Sequence, residues 1–219
     1  MDEQTIRSIV AGVLAQYAGS GDSQKADRQP DQVPVEVSAR HVHLSQEDVE
    51  RLFGAGHQLT PKRDLSQPGQ FLCEERLSLV TAKGELRNVA VLGPARSQTQ
   101  VELSQTDCRT LGLKAPVRLS GHLDGAESVY LFSAQGAIQA KGSVIIAQNH
   151  IHMTPADAAF YGVSDGQKVR VRMETGRPIT FEDVLVRVSA SAGLAMHIDF
   201  DEANACCFGG KESGRLLKD

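Results

Sequence analysis

Two short stretches of this 219-residue chain place histidines one residue apart, and the context of each pair is the same. The first reads Ser38-Ala39-Arg40-His41-Val42-His43-Leu44-Ser45, and the second reads Gln148-Asn149-His150-Ile151-His152-Met153-Thr154-Pro155. The offset is constant, since 150 minus 41 and 152 minus 43 both give 109. In an extended strand alternate side chains share a face, so each pair presents two imidazoles in one direction. Two neutral imidazoles on one strand face are a ready ligand pair for zinc or a similar borderline cation. A single H-x-H is more often a hydrogen-bonded strand pair than a ligand pair. Repetition favours ligands, as does a fifth histidine in an apolar run, His197 in Ala195-Met196-His197-Ile198-Asp199.

A second kind of chemistry sits in Gly93-Pro94-Ala95-Arg96-Ser97-Gln98-Thr99-Gln100-Val101-Glu102-Leu103. A turn delivers Arg96, and a strand then delivers Glu102. A guanidinium beside a metal binds phosphate bidentately, and the Glu102 carboxylate can join His41 and His43 as a third ligand. His150, His152 and His197 would form an all-histidine set. Three protein ligands per ion leave coordination positions open, which marks catalytic rather than structural zinc. Histidine and carboxylate donors also accept cobalt or manganese. Any one charged residue is more often a solvated surface group, so Arg96 and Glu102 gain their meaning from the histidines.

The elements that must position these groups are legible in outline. Ser45 and Thr154 are N-cap residues with an acid three positions on, and Pro155 suits the first helical position. Each H-x-H strand therefore runs into a short helix, the first spanning Gln46 to Gly54 or Gly56. Residues 57–76, with Pro61, Pro68 and Gly69, read as irregular, and Lys62 and Arg63 offer anion contacts there. Short β-rich runs broken by glycine fill residues 75–147 and 168–198, at Leu77–Val80, Arg87–Leu92, Thr99–Leu103, Ser128–Phe132, Ser143–Ala147, Lys168–Met173, Thr180–Val188 and Leu194–Ile198. Two helices among some ten short strands imply a mainly β fold of two small β-barrels.

The N-terminus differs in character. Ile6, Ile9, Val10, Val13, Leu14 and Tyr17 share one face of a helix over residues 3–17, and residues 18–32 are a polar linker with almost nothing apolar. A helix this short is marginal alone, so its stripe is expected to dock on a partner protein; the exposed stripe also leaves self-association as a homo-oligomer open. Its polar face is not rich in Lys or Arg, which argues against a membrane surface. A net charge of -4, with 41% hydrophobic and 23% charged residues, describes an ordinary globular protein and not a general nucleic-acid binder. No secretory signal or membrane-length apolar run is present. Cys73, Cys108, Cys206 and Cys207 lack C-x-x-C spacing and read as reduced thiols, with at most one of the adjacent pair pointing inward.

Taken together, S-A-R-H-V-H-L-S, L-G-P-A-R with Glu102 downstream, Q-N-H-I-H-M-T and A-M-H-I-D, spread over residues 33–209, resemble the PduL-type phosphotransacylases, or phosphate propanoyltransferases. The resemblance implies interconversion of acyl-CoA plus phosphate with acyl-phosphate plus coenzyme A at a two-zinc site. It places the first zinc on His41, His43 and Glu102, the second on His150, His152 and His197, and phosphate on Arg96. Coenzyme A contacts fall on Val37, Ser38, Ala39, Lys83 and Asn204, while Ala90 stands where relatives often carry a basic residue. The implied domains are residues 1–32 as encapsulation helix and linker, 33–39 with 148–219 as one barrel, and 40–147 as the central barrel. The implied location is the bacterial cytoplasm inside a bacterial microcompartment, with residues 1–20 contacting shell or lumen proteins. Two alternatives use the same residues differently: a two-zinc hydrolase of thioesters or phosphoesters, and a non-catalytic metal-stabilised scaffold.

Overall fold

A computed structural model of the chain describes residues 31–217. The amphipathic stretch at residues 3–17 and most of the polar stretch after it lie outside the described residues. Among those described, no helix is long and apolar enough to cross a membrane.

The chain is mainly β, as expected, and its strands close into two six-stranded barrels. The first barrel uses β4 (Phe71–Val80), β5 (Glu85–Gly93), β2 (His41–His43), β6 (Gln100–Glu102), β9 (Ala137–Ala147) and β8 (Glu127–Phe132), with β8 pairing back on β4. Two further strands flank it, β3 (Pro61–Asp64) on β4 and β7 (Val117–Arg118) on β9. The second barrel takes β1 (Gln32–Ser38), β13 (Ala195–Asp199), β10 (His150–Met153), β12 (Thr180–Val188), β11 (Lys168–Met173) and β14 (Ser213–Leu217). Only Ala39 and Arg40 separate β1 from β2, so the chain passes from one barrel to the other directly before His41.

Each barrel has its own apolar core. Val42, Leu79, Val91, Val101, Leu131 and Val144 are fully buried in one, and Ile151, Met153, Val171, Val186 and Met196 in the other. Strand alternation decides what remains. Val42 enters a core, so His41 and His43 face the other way; Ile151 and Met153 do the same for His150 and His152, Val101 for Glu102, and Met196 with Ile198 for His197. Removing a side chain such as Leu79 would open a cavity and cost about 2–5 kcal/mol.

Two readings need correction. The two helices expected after the H-x-H strands are present, but the described residues hold four: α1 (Gln46–Phe53), α2 (Gln105–Leu111), α3 (Pro155–Tyr161) and α4 (Phe200–Ala205). The helices α2 and α4 are only 7 and 6 residues long, too short to show helical periodicity. Their capping boxes, Ser104 with Asp107 and Asp199 with Glu202, hold them. Pro61–Asp64 is a strand and not part of an irregular loop. All four of its residues are exposed, so no alternation betrays it, and proline at its first position costs no ladder hydrogen bond. Cys206 and Cys207 follow α4, where Cys206 is buried and Cys207 exposed, so one of the pair points inward; all four cysteines are free thiols.

Candidate active site

The same local device positions every candidate metal ligand group. His43, Glu102, His152 and His197 each precede by two residues the N-cap of a helix, namely Ser45, Thr154's counterpart Ser104, Thr154 itself and Asp199. Each cap side chain accepts from the backbone N–H three residues on, at Asp48, Asp107, Asp157 and Glu202 respectively. The cap fixes the direction in which the chain leaves the strand, and so holds the strand end that carries the ligand.

Sheet pairing then assembles the first cluster. The strands β2 and β6 are antiparallel with His41 opposite Glu102 and His43 opposite Gln100. His41 Nε2 lies 3.5 Å from Glu102 Oε2, and His43 Nε2 lies 3.9 Å from Oε1. One ligand atom from each of the three buried residues lies within 4.8 Å of the others. Glu102 Oε1 accepts from Gln100 Nε2 at 2.6 Å and Ser120 Oγ at 2.8 Å. Burial alone would raise the Glu102 carboxyl, but the adjacent His41 and the hydrogen bonds outweigh it, and the net shift is downward. The counterpart shift on His41 is upward: burial opposes the charged ring, and Glu102 overcomes it. Burial, with His41 and Arg96 nearby, pushes His43 down to about 3.

The second cluster is all imidazole. Antiparallel β10 and β13 place His150 opposite His197, and His150 Nε2 stands 3.1 Å from His152 Nε2. The His197 ring centroid is 5.4 Å from that of His150 and 5.1 Å from that of His152. Burial pushes His152 down to about 3 and His197 to about 4, each reinforced by the neighbouring rings. Neutral imidazoles with exposed lone pairs are the form that binds a metal.

The ring hydrogen bonds show which nitrogens the two clusters offer. His41 Nδ1 is 2.7 Å from the Ala39 carbonyl, and His150 Nδ1 is 2.8 Å from the Gln148 carbonyl. A ring N–H must point at each carbonyl, which leaves Nε2 as the lone-pair atom facing its cluster. The contact repeats at the same i−2 position in both units. In the second cluster this His150 Nε2 lies 3.1 Å from His152 Nε2. Among the described residues, the buried side-chain nitrogens without a hydrogen-bond partner are His43 Nδ1 and His197 Nε2, one in each cluster. Buried polar atoms are rarely orphaned without a cause.

Both clusters open on one cavity of about 590 Å³, lined from both barrels. Arg96 lines it, anchored by its backbone N–H to the Leu44 carbonyl at 2.8 Å and by Nη1 to Ser120 Oγ at 3.2 Å. Val37, Ser38 and Ala39 also line it, and Ser38 Oγ reaches His197 Nδ1 at 3.3 Å. Lys83 and Asn204 do not. Lys83 is exposed at the β4–β5 turn, packed over Gly112, and Asn204 is exposed on α4. Ala90 lines the cavity, with Arg63 and Arg76 as cationic neighbours. One lining residue, Arg187, escaped the sequence reading. It lies on β12 directly across from His152, a pairing that no local pattern announces.

A family model described as phosphate propanoyltransferase matches residues 34–209. The chain is similar to the phosphate propanoyltransferase of Alkaliphilus metalliredigens, 47% identical over 218 residues and covering 100% of each chain. That of Priestia megaterium is 50% identical over 216 residues, 99% of this chain and 97% of its own. That of Listeria monocytogenes is 50% identical over 186 residues, 85% and 87% respectively.

Proposed function

Because this chain belongs to the phosphate propanoyltransferase family, an acyltransferase family acting on acyl-CoA and phosphate, we propose that it performs the transfer at a two-zinc site in this cavity. The observation that carries the reading is the opening of two three-residue donor sets, with Arg96 between the barrels, onto one cavity. The first zinc is assigned to His41, His43 and Glu102, and the second to His150, His152 and His197. Zinc bound there supplies positive charge for the thioester oxygen and the departing thiolate.

The protein's own residues do the rest. Arg96 holds phosphate by its guanidinium and orients one oxygen toward the acyl carbon, which converts a bimolecular encounter into a positioned one. A C–O bond forms as the C–S bond breaks, and the proton carried by hydrogen phosphate ends on the coenzyme A thiolate. No protein nucleophile is needed. The Ala39 and Gln148 carbonyls hold His41 and His150 in the tautomer that presents Nε2. Val37, Ser38 and Ala39 border the cavity at the crossing between barrels and are assigned to coenzyme A, as are Lys83 and Asn204 at greater distance. The division into residues 33–39 with 148–219 and residues 40–147 gives each barrel one donor set. Residues 1–32 are assigned to encapsulation in a bacterial microcompartment, with residues 1–20 contacting shell or lumen proteins.

The test is metal content measured beside turnover. Protein purified without chelator should carry about two zinc, cobalt or manganese ions per chain and release thiol from propanoyl-CoA only with phosphate. Less than about one ion per chain contradicts the two-site reading.

A further inference from the structure

A second cavity, of about 490 Å³, adjoins the first. Gln67, Gln70, Ser120, His152 and Arg187 line both, so these residues form a shared wall. Beyond that wall the second cavity is bordered by Ser189, Ser191 and His122 together with apolar residues such as Leu119 and Leu185, and the sole carboxylate among its lining residues is Asp165. Asp165 is engaged, with Oδ1 accepting from Val188 N–H at 2.8 Å.

Arg187 is placed in this wall by strand pairing. Parallel β10 and β12 set His152 opposite Arg187, and paired residues share a face. Val184 and Val186 turn into the core, so Arg187 points with the histidines. Among the described residues its guanidinium makes no hydrogen bond or ion pair. Arg96 reaches the same wall from the other barrel, 3.2 Å from Ser120 Oγ. Arg96 and Arg187 both line the first cavity, beside the two clusters. The carboxylates that line the first cavity are Glu102, already committed to His41, Gln100 and Ser120, and Glu36, which accepts from Ser66 Oγ and stands 3.8 Å from His197 Nε2. Two guanidiniums that line one cavity, neither of them ion-paired to a carboxylate among the described residues, form a site for an anion.

We propose that Arg187 is the second guanidinium that holds inorganic phosphate, facing Arg96, and that phosphate enters through the second cavity while acyl-CoA occupies the first. This inference rests on the acyl-transfer reading above. Direct transfer needs both substrates present together, and a separate cavity that ends on Arg187 admits phosphate after the long substrate has filled the first.

Steady-state kinetics with propanoyl-CoA and phosphate on the metal-loaded full chain test it. Arg187→Gln should raise the KM for phosphate about 10- to 100-fold, as expected for loss of a charge-assisted hydrogen bond. The KM for propanoyl-CoA should stay within about 2-fold, and metal content should not change. Arg187→Lys should recover part of the loss, since it restores the charge without the fork. Ser191→Tyr, which narrows the second cavity without touching either guanidinium, should also raise the phosphate KM. An unchanged phosphate KM in Arg187→Gln, an equal rise for both substrates, or loss of metal would overturn the role of Arg187. An unchanged phosphate KM in Ser191→Tyr would overturn the entry route. Failure of the acyl-transfer reading looks different: wild-type protein would then release thiol without phosphate.

Discussion

A neutral histidine and an ionised carboxylate are the forms that ligate a metal, and the two clusters differ in how far their electrostatics favour those forms. In the first cluster burial pushes His43 down and the adjacent His41 holds the Glu102 carboxyl low, while Glu102 in turn raises His41; in the second, burial and mutual repulsion keep His152 and His197 neutral. His152→Ala should therefore lose one of two metals and nearly all turnover together, as elemental analysis and a thiol assay would show. Retention of both ions would remove His152 from the ligand set. Arg96→Ala takes away an anion contact and no ligand. It should lower kcat/KM for phosphate by about 100-fold with metal content intact; zinc loss in this variant would mean that Arg96 acts on the clusters and not on phosphate.

Glu202 gives a pH-dependent outcome at the same scale. Its Oε1 accepts from Asn149 Nδ2 at 2.7 Å and its Oε2 from Asp199 N–H at 2.9 Å. Burial first, and the Asp199 charge after it, push the carboxyl up to about 7 from an ordinary 4.5. The folded state thus binds this proton more tightly than the unfolded chain does. The stability it confers is full below about 4.5 and is lost as pH rises through about 7. Glu202→Gln removes that titration, so the stability of the variant relative to wild type should increase by about 2 kcal/mol between pH 5 and pH 8. Denaturant melts at the two pH values measure it, and a constant difference would show that Glu202 does not titrate in this range.

At the scale of elements, four strands each deliver a candidate ligand two residues before a helix cap. Asp199→Ala should cost about 1 kcal/mol of stability. Because the cap also aims β13, turnover should fall more than that loss alone predicts, and thermal melts beside kinetics separate the two effects. Part of this arrangement was legible in the chain. The H-x-H repeat, His197 and Glu102 stand in apolar strand contexts, and Ser45 and Thr154 announce α1 and α3. The helices α2 and α4 were hidden because one or two turns are too short for a periodic stripe. Their capping boxes were the available signal, in Ser104-Gln105-Thr106-Asp107 and Asp199-Phe200-Asp201-Glu202. Arg187 left no signal of this kind, since its place beside His152 depends on pairing across 35 positions of chain, 187 minus 152.

For the whole molecule, both cores and every candidate site residue lie within residues 31–217. Deleting residues 1–20 should accordingly leave turnover near wild type while abolishing co-purification with compartment shells. Normal packaging of the truncated chain would remove the targeting role, and unfolding would show that these residues belong to the folded body.

The transfer itself is tested most directly by following thiol and acyl-phosphate together from propanoyl-CoA, with and without phosphate, on metal-loaded protein. The two-donor-set site with its paired guanidiniums predicts acyl-phosphate equal to the thiol released, and no release when phosphate is omitted. Thiol appearing at the same rate without phosphate, with free propanoate as the other product, would contradict it.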